Sequence, residues 1–201
     1  PLGPNQARGV ACGSWGNYGG PSTAAVSVAE DGSILVTEGN PDIGGSRASM
    51  AIMAAETLGV PYEKVRVVVA DTSSIGFSMG TGGSRTTFAS GYAAYEAAND
   101  LIVKMKARMA EVWKVDASSI EYKNGALSTS GDDAKSMTFK QFAEQMFKTG
   151  AAVVGVGSVQ PRGVGSAFST QICDVEVDPD TGKVTVLRYT VVQDVGTAIH
   201  P

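Results

Sequence analysis

The sequence predicts an α+β fold, a two-layer sandwich in which two main helices cover a mixed β-sheet. Three observations lead to this class. Alternating residues on both sides of Asp31-Gly32 indicate a β-hairpin. Apolar residues at helical spacing then fill two long segments, and the last third of the chain is strand-like again. Strands that flank two helices in this order, with antiparallel hairpins, are typical of an α+β sandwich rather than a doubly wound parallel sheet.

Local patterns predict each element of the first quarter. Alternation in Ala24–Val28 and Ser33–Glu38 predicts the two hairpin strands, and the glycine-rich segment Gly13–Gly20 before them is predicted to be a loop. Helical spacing over Arg47–Leu58 predicts a helix. It ends before Pro61, because proline cannot continue a helix.

A buried strand and a long helix are predicted next. The unbroken apolar run Val65–Ala70 is typical of a central strand covered on both faces. Between Arg85 and Trp113, residues recur every three or four positions, which predicts a long helix with one apolar face. This stripe comprises Phe88, Tyr92, Tyr95, Asn99, Ile102, Met105, Met109 and Val112. We therefore expect Tyr92 and Tyr95 in the core rather than stacked on a ligand.

Residues 115–150 are expected to embellish this sandwich. Lys123-Asn124-Gly125 predicts a hairpin turn, and a short helix is predicted from Ser136 or Thr138 to Phe147. The strands predicted in the last third are Ala151–Val159, Phe168–Val177 and Lys183–Asp194. We interpret residues 1–201 as one partial domain, a piece of a longer polypeptide.

Composition and charge exclude several classes of function. Twenty acidic side chains outnumber 16 basic ones, the net charge is −4 and no Lys/Arg run forms a basic patch, which argues against a nucleic-acid partner. Cys12 and Cys173 are far apart and His200 is the single histidine, so neither a disulfide framework nor a protein metal site is predicted. The most apolar stretch, Ala151–Val159, is too short to cross a bilayer. We expect a cytoplasmic protein with no membrane partner.

Two glycine-bearing turns are the best indication of function. They span Gly39–Arg47 and Thr81–Thr86, and each follows a strand-like stretch and precedes a helical pattern. A helix N-terminus presents free main-chain N–H groups, and glycine lets an anionic ligand approach them. The candidate binding residues are Gly44, Gly45, Ser46, Gly82, Gly83, Ser84 and Arg85. The alternative for either turn is ordinary helix capping, with Ser46 or Ser84 as the N-cap.

A set of short segments is more specific than either turn alone. In order, the set comprises Asp31-Gly32-Ser33-Ile34-Leu35-Val36, Gly39 to Gly45, Ala54-Ala55-Glu56-Thr57-Leu58-Gly59-Val60-Pro61, Asp71-Thr72, Gly82-Gly83-Ser84-Arg85-Thr86, Gly91, Ala97 and Val192-Gln193-Asp194-Val195-Gly196. This order resembles the molybdopterin-binding subunit of the xanthine dehydrogenase and aldehyde oxidase family. The resemblance covers most of the chain and implies an α+β part of the molybdenum-cofactor domain.

The resemblance also implies a cofactor, a reaction and partners. The turn Gly44-Gly45-Ser46 resembles the loop that packs against molybdopterin and its phosphate, and Gly82-Gly83-Ser84-Arg85 resembles the segment near the molybdenum end and the pterin. The implied reaction is oxidation, or reductive dehydroxylation, of an aromatic, heteroaromatic, aldehyde or acyl-CoA substrate. The implied partners are the rest of the molybdenum subunit, iron–sulfur (2Fe-2S) and flavin (FAD) subunits or domains, and the small-molecule substrate.

Two departures from the family pattern limit these expectations. Gly44 stands where the family has glutamine, so an amide contact to the cofactor is lost, or Ser46 or Arg47 replaces it. The family's general-base glutamate lies beyond this segment, so we assign no catalytic residue and expect the chain alone to be inactive. A non-catalytic remnant or assembly module with the same fold is the alternative. A plain nucleotide-binding protein is disfavoured, because neither turn has the glycine pattern of such proteins.

Charged side chains near the turns have two interpretations. Arg85 is either an inward guanidinium that pairs with phosphate or carboxylate, or a surface arginine. Four carboxylates are candidate general bases, but the sequence identifies a partner for none of them, so surface, cap or turn roles are expected instead. These carboxylates are Glu38, Asp42, Glu56 and Asp71.

Overall fold

The computed structural model describes residues 2–163 and 165–197, which form two compact units. One unit is Tyr18–Gly163, and the other comprises the described residues on either side of it. The strands are β1 (Gln6–Gly16), β2 (Ser22–Val28), β3 (Ile34–Glu38), β4 (Val65–Val68), β5 (Glu121–Lys123), β6 (Ala126–Ser128), β7 (Ser136–Thr138), β8 (Val154–Val159), β9 (Ser166–Val177) and β10 (Val184–Asp194). The α-helices are α1 (Ser46–Leu58), α2 (Thr72–Ile75), α3 (Gly91–Trp113) and α4 (Phe139–Thr149). The outermost residues of the predicted domain, 1 and 198–201, lie outside the described residues.

The unit Tyr18–Gly163 contains the predicted two-layer sandwich. Its main sheet has the order β4-β3-β2-β8, in which β3 and β4 are parallel and the other pairs are antiparallel. Helices α1 and α3 pack on one face of this sheet. Alternate residues from Ser22 to Val28 on β2 are therefore buried, because one face of the sheet carries the helices. The predicted α+β class with a mixed sheet is confirmed.

Strand β4 lies at the edge of this sheet, so the prediction of a central strand is wrong. It ends at Val68 rather than Ala70, and in the described residues it pairs with β3 alone. Within β4 only Val67 is buried. Ala70 already has φ +60 and leaves the strand. The apolar run Val65–Ala70 therefore indicated a strand that a helix covers, but it could not indicate whether other strands pair with this strand on one side or on both.

The long predicted helix is present, but of the predicted stripe on α3 only Met105 and Met109 are on its buried face. A π-helical turn, Thr86–Ser90, precedes α3. The buried residues of α3 are Gly91, Ala93, Ala94, Ala97, Ala98, Leu101, Met105 and Met109. Tyr92 and Tyr95 are 42% and 45% exposed, and their rings stack on each other with centroids 6.3 Å apart. Their predicted core position is therefore wrong.

Close approach of α3 to β8 explains why the buried face is rich in alanine. A Cβ atom at Gly155 would overlap the carbonyl oxygen of Ala97, and one at Gly157 would overlap that of Ala93. The helix and the strand therefore touch through their main chains. A tyrosine ring has no room in such a contact, so the two tyrosines lie outside it and remain partly exposed.

The segment 115–150 contains the predicted hairpin and short helix. Strands β5, β6 and β7 form a small antiparallel sheet. Asn124 and Gly125 have φ +50 and +73, the left-handed pair that a two-residue hairpin turn requires. The hydroxyl of Thr138 accepts a hydrogen bond from the N–H of Gln141 (3.2 Å), and the Gln141 side chain accepts one from the N–H of Thr138 (2.9 Å). This capping box begins α4 at Thr138, one of the two start positions that the sequence predicted.

The other unit is an antiparallel sheet of three long strands in the order β1-β9-β10. Strand β1 extends to Gly16, so the prediction of a loop over Gly13–Gly20 is wrong for its first half. Pairing with β9 forms this strand, which the glycine-rich local sequence does not indicate. Arg8 and Asp174 form a two-bond ion pair at 2.6 and 2.9 Å, and this pairing lowers the pKa of Asp174. None of the helices in residues 2–163 and 165–197 has the length and apolarity to cross a membrane.

Candidate functional site

The first glycine turn begins α1, but Ser46 does not cap this helix. Gly45 is the N-cap residue and contributes no side-chain hydrogen bond. The hydroxyl of Ser46 instead accepts a bond from the N–H of Ile43 at 3.2 Å. The Asp42 carboxylate accepts a bond from the N–H of Arg47 at 3.1 Å and pairs with the Arg47 guanidinium at 3.1 Å. The chain thus places its own carboxylate at this helix N-terminus.

The two glycines before α1 remain open to a ligand. Gly44 and Gly45 have φ +59 and +79, and a Cβ atom at either would meet no other atom within 4 Å. Their main-chain N–H groups donate to no acceptor in the described parts of the chain. An approaching group can therefore reach these donors without displacing a side chain.

The second turn is partly covered. Gly82 is open, with no atom within 4 Å of a Cβ placed there. At Gly83, which has φ +61, a Cβ would overlap the ring of Tyr18, whose N–H donates to the Gly83 carbonyl at 2.9 Å. Ser84 has φ +58, and the N-cap residue of the π-helical turn is Arg85. The predicted N-cap role of Ser84 is therefore not observed.

Arg85 fits neither interpretation drawn from the sequence. It is 0% exposed, so it is not a surface arginine. Its Nε donates to the carbonyl of Gly19 at 2.8 Å and its Nη1 to that of Met79 at 2.5 Å. Nη2 donates to Pro21 at 2.9 Å and to the hydroxyl of Ser22 at 2.5 Å. Because these donors are used inside the protein, direct pairing of this guanidinium with a ligand anion is not supported.

A buried polar network connects the two turns. The side-chain N–H of Asn40, in the first turn, donates to the Met79 carbonyl at 2.7 Å, and the Ser90 hydroxyl donates to Asn40 Oδ1 at 2.6 Å. The N–H of Asn40 also donates to Glu38 Oε2 at 2.9 Å. Met79 therefore receives one bond from each turn, from Asn40 and from Arg85. The structure brings the turns together at this carbonyl.

Glu38 is buried in this network, so its predicted surface, cap or turn role is wrong. Its side chain is 0% exposed, and Oε1 has no hydrogen-bond partner in the described residues. Burial raises the pKa of Glu38 to about 7, although the hydrogen bond from Asn40 opposes this rise. The other predictions of this kind hold, since Asp42 and Asp71 cap helices and Glu56 is exposed.

The open glycines do not all line the same cavity. A cavity of about 610 Å³ beside α1 is lined by Gly45, Asp42 and Arg47 together with the main chain of β4, and the second turn does not contribute to it.

Sequence reasoning missed the residues that connect the turns. Asn40 lay within the first motif, but Glu38, Met79 and Ser90 have no local pattern that marks them. Within residues 2–163 and 165–197, no three His, Cys, Asp or Glu side chains form a metal-binding cluster.

The fold of this chain matches a part of two much longer chains of known structure. Cu,Mo-CO dehydrogenase superposes over 98% of this chain and 27% of its own chain, with a TM-score of 0.82 at 22% identity. Quinoline 2-oxidoreductase from Pseudomonas putida 86 superposes over 98% of this chain and 28% of its own, with a TM-score of 0.80 at 21% identity. The sequence profile described as "Molybdopterin cofactor-binding domain" matches residues 4–201. The chain therefore belongs to this family.

Curated relatives are much longer than this chain. The carbon monoxide dehydrogenase large chain of Hydrogenophaga pseudoflava is 29% identical over 162 residues, which cover 78% of this chain and 20% of the relative. The aldehyde oxidoreductase molybdenum-binding subunit PaoC of Escherichia coli K12 is 30% identical over 195 residues, which cover 96% of this chain and 26% of the relative. The chain thus spans about a fifth to a quarter of these relatives.

Proposed function

We propose that this chain is part of the molybdopterin-binding subunit of a molybdenum hydroxylase and that both glycine turns donate main-chain hydrogen bonds to the cofactor. The observation that carries the proposal is the open main chain at Gly44, Gly45 and Gly82. A helix or turn that exposes N–H groups without side-chain barriers suits an elongated anionic ligand. Membership of the molybdopterin cofactor-binding family supports the choice of ligand.

The residues present fit this cofactor in part. Gly44 and Gly45 offer uncommitted N–H donors on the first turn, and Gly82 does so on the second. Of the two residues considered as replacements for the missing glutamine, Arg47 suits the role better, because its side chain is half exposed whereas Ser46 is buried. Both side chains already have a partner within the turn, Asp42 for Arg47 and the Ile43 N–H for Ser46.

The remaining candidate residues are Ser84, Gly83 and Arg85, and we propose a direct contact to the cofactor for Ser84 alone. Ser84 is exposed and stays a proposed contact. Because Gly83 has no side chain, the ring of Tyr18 can pack directly against the turn. Arg85 stabilises the turn from the interior of the protein through its bond to the Met79 carbonyl.

When the cofactor is bound, it supplies the proposed oxidation or reduction chemistry. The residues of this chain bind and orient the cofactor, and we assign no proton transfer to any side chain in it. The proposed substrate is an aromatic, heteroaromatic, aldehyde or acyl-CoA compound. The proposed partners are the rest of the molybdenum subunit and iron–sulfur (2Fe-2S) and flavin (FAD) subunits or domains, in the cytoplasm. We also propose that these 201 residues alone hold no molybdenum and are inactive.

One observation favours the alternative of a non-catalytic module. The Asp42 carboxylate lies at the N-terminus of α1, where a ligand anion would be placed by the helix dipole. A remnant that kept the fold without the cofactor would retain such a self-capped turn. The alternative therefore predicts that the unaltered full-length subunit contains neither molybdenum nor pterin.

A substitution at Gly82 tests the proposal in the full-length subunit. Gly82→Val should lower molybdenum and pterin content at least about tenfold, because the side chain would block main-chain donors worth about 1.5–3 kcal/mol to an anion. Gly9→Val in β1 is the matched control, since that glycine is equally open and also has no left-handed φ. Thermal unfolding should be similar for both variants. Unchanged cofactor content in Gly82→Val, with a folded protein, contradicts the proposal.

A further inference from the structure

The buried Arg85 side chain connects the second turn, to which it belongs, with two earlier segments of the chain. One segment is the end of the loop before β2 together with the first residue of that strand, and the other lies just before the second turn. Its acceptors are the carbonyls of Gly19, Gly20, Pro21, Met79 and Gly80 and the hydroxyl of Ser22, at 2.5–3.5 Å. A guanidinium holds its N–H groups in one rigid plane, so it fixes the positions of these acceptors relative to one another.

The Met79 carbonyl extends this connection to the first turn. Asn40 donates to it at 2.7 Å, and the Ser90 hydroxyl fixes the orientation of the Asn40 amide through a bond of 2.6 Å. Asn40, Arg85 and Ser90 are all buried, whereas Met79 is 45% exposed and the two bonds to its carbonyl are part-buried. A continuous set of bonds therefore runs from the beginning of the first turn to the second, and its link between Ser90 and Asn40 is fully buried.

We propose that Arg85 is a positioning residue for the second glycine turn, and that Ser90 supports it through Asn40. Only the consequence of this role, cofactor binding at Gly82, rests on the proposed function. The positioning itself is a property of the protein without ligand. Lysine cannot replace Arg85, because three donors on one ammonium cannot reach carbonyls that lie on different sides of a planar fork.

Amide hydrogen exchange in the full-length subunit without cofactor tests this role. The variants are Arg85→Lys and Ser90→Ala, and exchange within residues 79–83 is followed at the N–H of Met79, which is protected by a bond of 2.9 Å to the Pro21 carbonyl. The control is Tyr122→Phe, which removes another buried bond from a side chain to a main-chain carbonyl, that from Tyr122 to Leu58 at 2.5 Å. Loss of one such bond should increase local exchange about tenfold in the first two variants. The control should lower the unfolding temperature without altering exchange at residues 79–83.

The outcomes separate this inference from the proposed function. If Arg85→Lys does not fold, Ser90→Ala provides the test, because it removes a single hydroxyl. Unchanged exchange at residues 79–83 in the folded variants overturns the positioning role, and so does an equal increase in Tyr122→Phe. Cofactor content is then measured in the loaded subunit. Faster exchange with unchanged cofactor content supports the positioning role and contradicts cofactor binding by the second turn.

Discussion

Gly157 of β8 lies directly against the main-chain carbonyl of Ala93 in α3, in a contact that leaves no room for a Cβ atom. Gly155 makes the same kind of contact with Ala97 one turn further along the helix. The sheet and its longest helix therefore pack through glycine and alanine, and this contact decides which face of α3 is buried.

Gly157→Ala should destabilise the protein strongly. The added methyl group would overlap main-chain atoms, which cannot rotate away, so we expect a loss of about 2–4 kcal/mol in the free energy of unfolding. Denaturant unfolding measures this loss. Gly9→Ala, at an open position, should change the free energy by less than about 0.5 kcal/mol. Similar values for the two variants would contradict the packing argument.

An ion pair on α3 covers the outer edge of β8. The Asp100 carboxylate accepts a hydrogen bond from the N–H of Val156 at 2.7 Å, and Lys104, which pairs with Asp100 at 2.7 Å, donates to the Val154 carbonyl at 2.8 Å. Exposed strand edges tend to pair with other chains, and charged side chains at an edge prevent this.

Removal of this cover should promote self-association. We expect the double variant Asp100→Ala, Lys104→Ala to associate at micromolar concentrations at which the unaltered protein does not, as measured by sedimentation velocity. Lys140 and Glu144 form an ion pair of the same i, i+4 spacing on α4, with both side chains more than half exposed. Their double alanine variant is the control, and equal association in both would remove the assigned role.

Glu38 should make stability depend on pH near neutrality. Its pKa of about 7 lies above the ordinary value of 4.5, so between these values the native state binds more protons than the unfolded state. The contribution of Glu38 is therefore greatest at low pH and falls as the pH rises through this window. The glutamine of Glu38→Gln does not titrate. The free energy of unfolding of this variant should therefore rise by about 3 kcal/mol relative to that of the unaltered protein between pH 5 and pH 8. Denaturant titrations at the two pH values measure the difference, and a constant difference would contradict the assignment.

The capping box of α4 should contribute a smaller, pH-independent amount. Thr138→Ala removes the hydroxyl that accepts a bond from the N–H of Gln141, so we expect a loss of about 1 kcal/mol. Thr138→Ser retains an acceptor at the same position and should recover most of this loss. Equal losses in the two variants, measured by thermal unfolding, would show that the cap does not act through this bond.

The sequence by itself determined the features that depend on neighbours along the chain. These include the β2–β3 hairpin, the turn at Asn124-Gly125, the capping box at Thr138 and the presence of helices α1, α3 and α4. Turn and cap geometry depends on a few adjacent residues, so local patterns report it reliably. The order of the short segments also indicated the family, which the profile match over residues 4–201 confirms.

The tertiary structure alone decided which residues are buried and which donors remain free. The edge position of β4, the exposure of Tyr92 and the burial of Glu38 and Arg85 all depend on contacts with distant parts of the chain. Arg85 meets carbonyls more than sixty positions away, and no local pattern encodes such a meeting. The open glycines were found from sequence, because glycine itself is the signal. The buried bonds that hold them in place were not, since hydrogen bonding between distant residues is fixed only when the sheet and helices pack together.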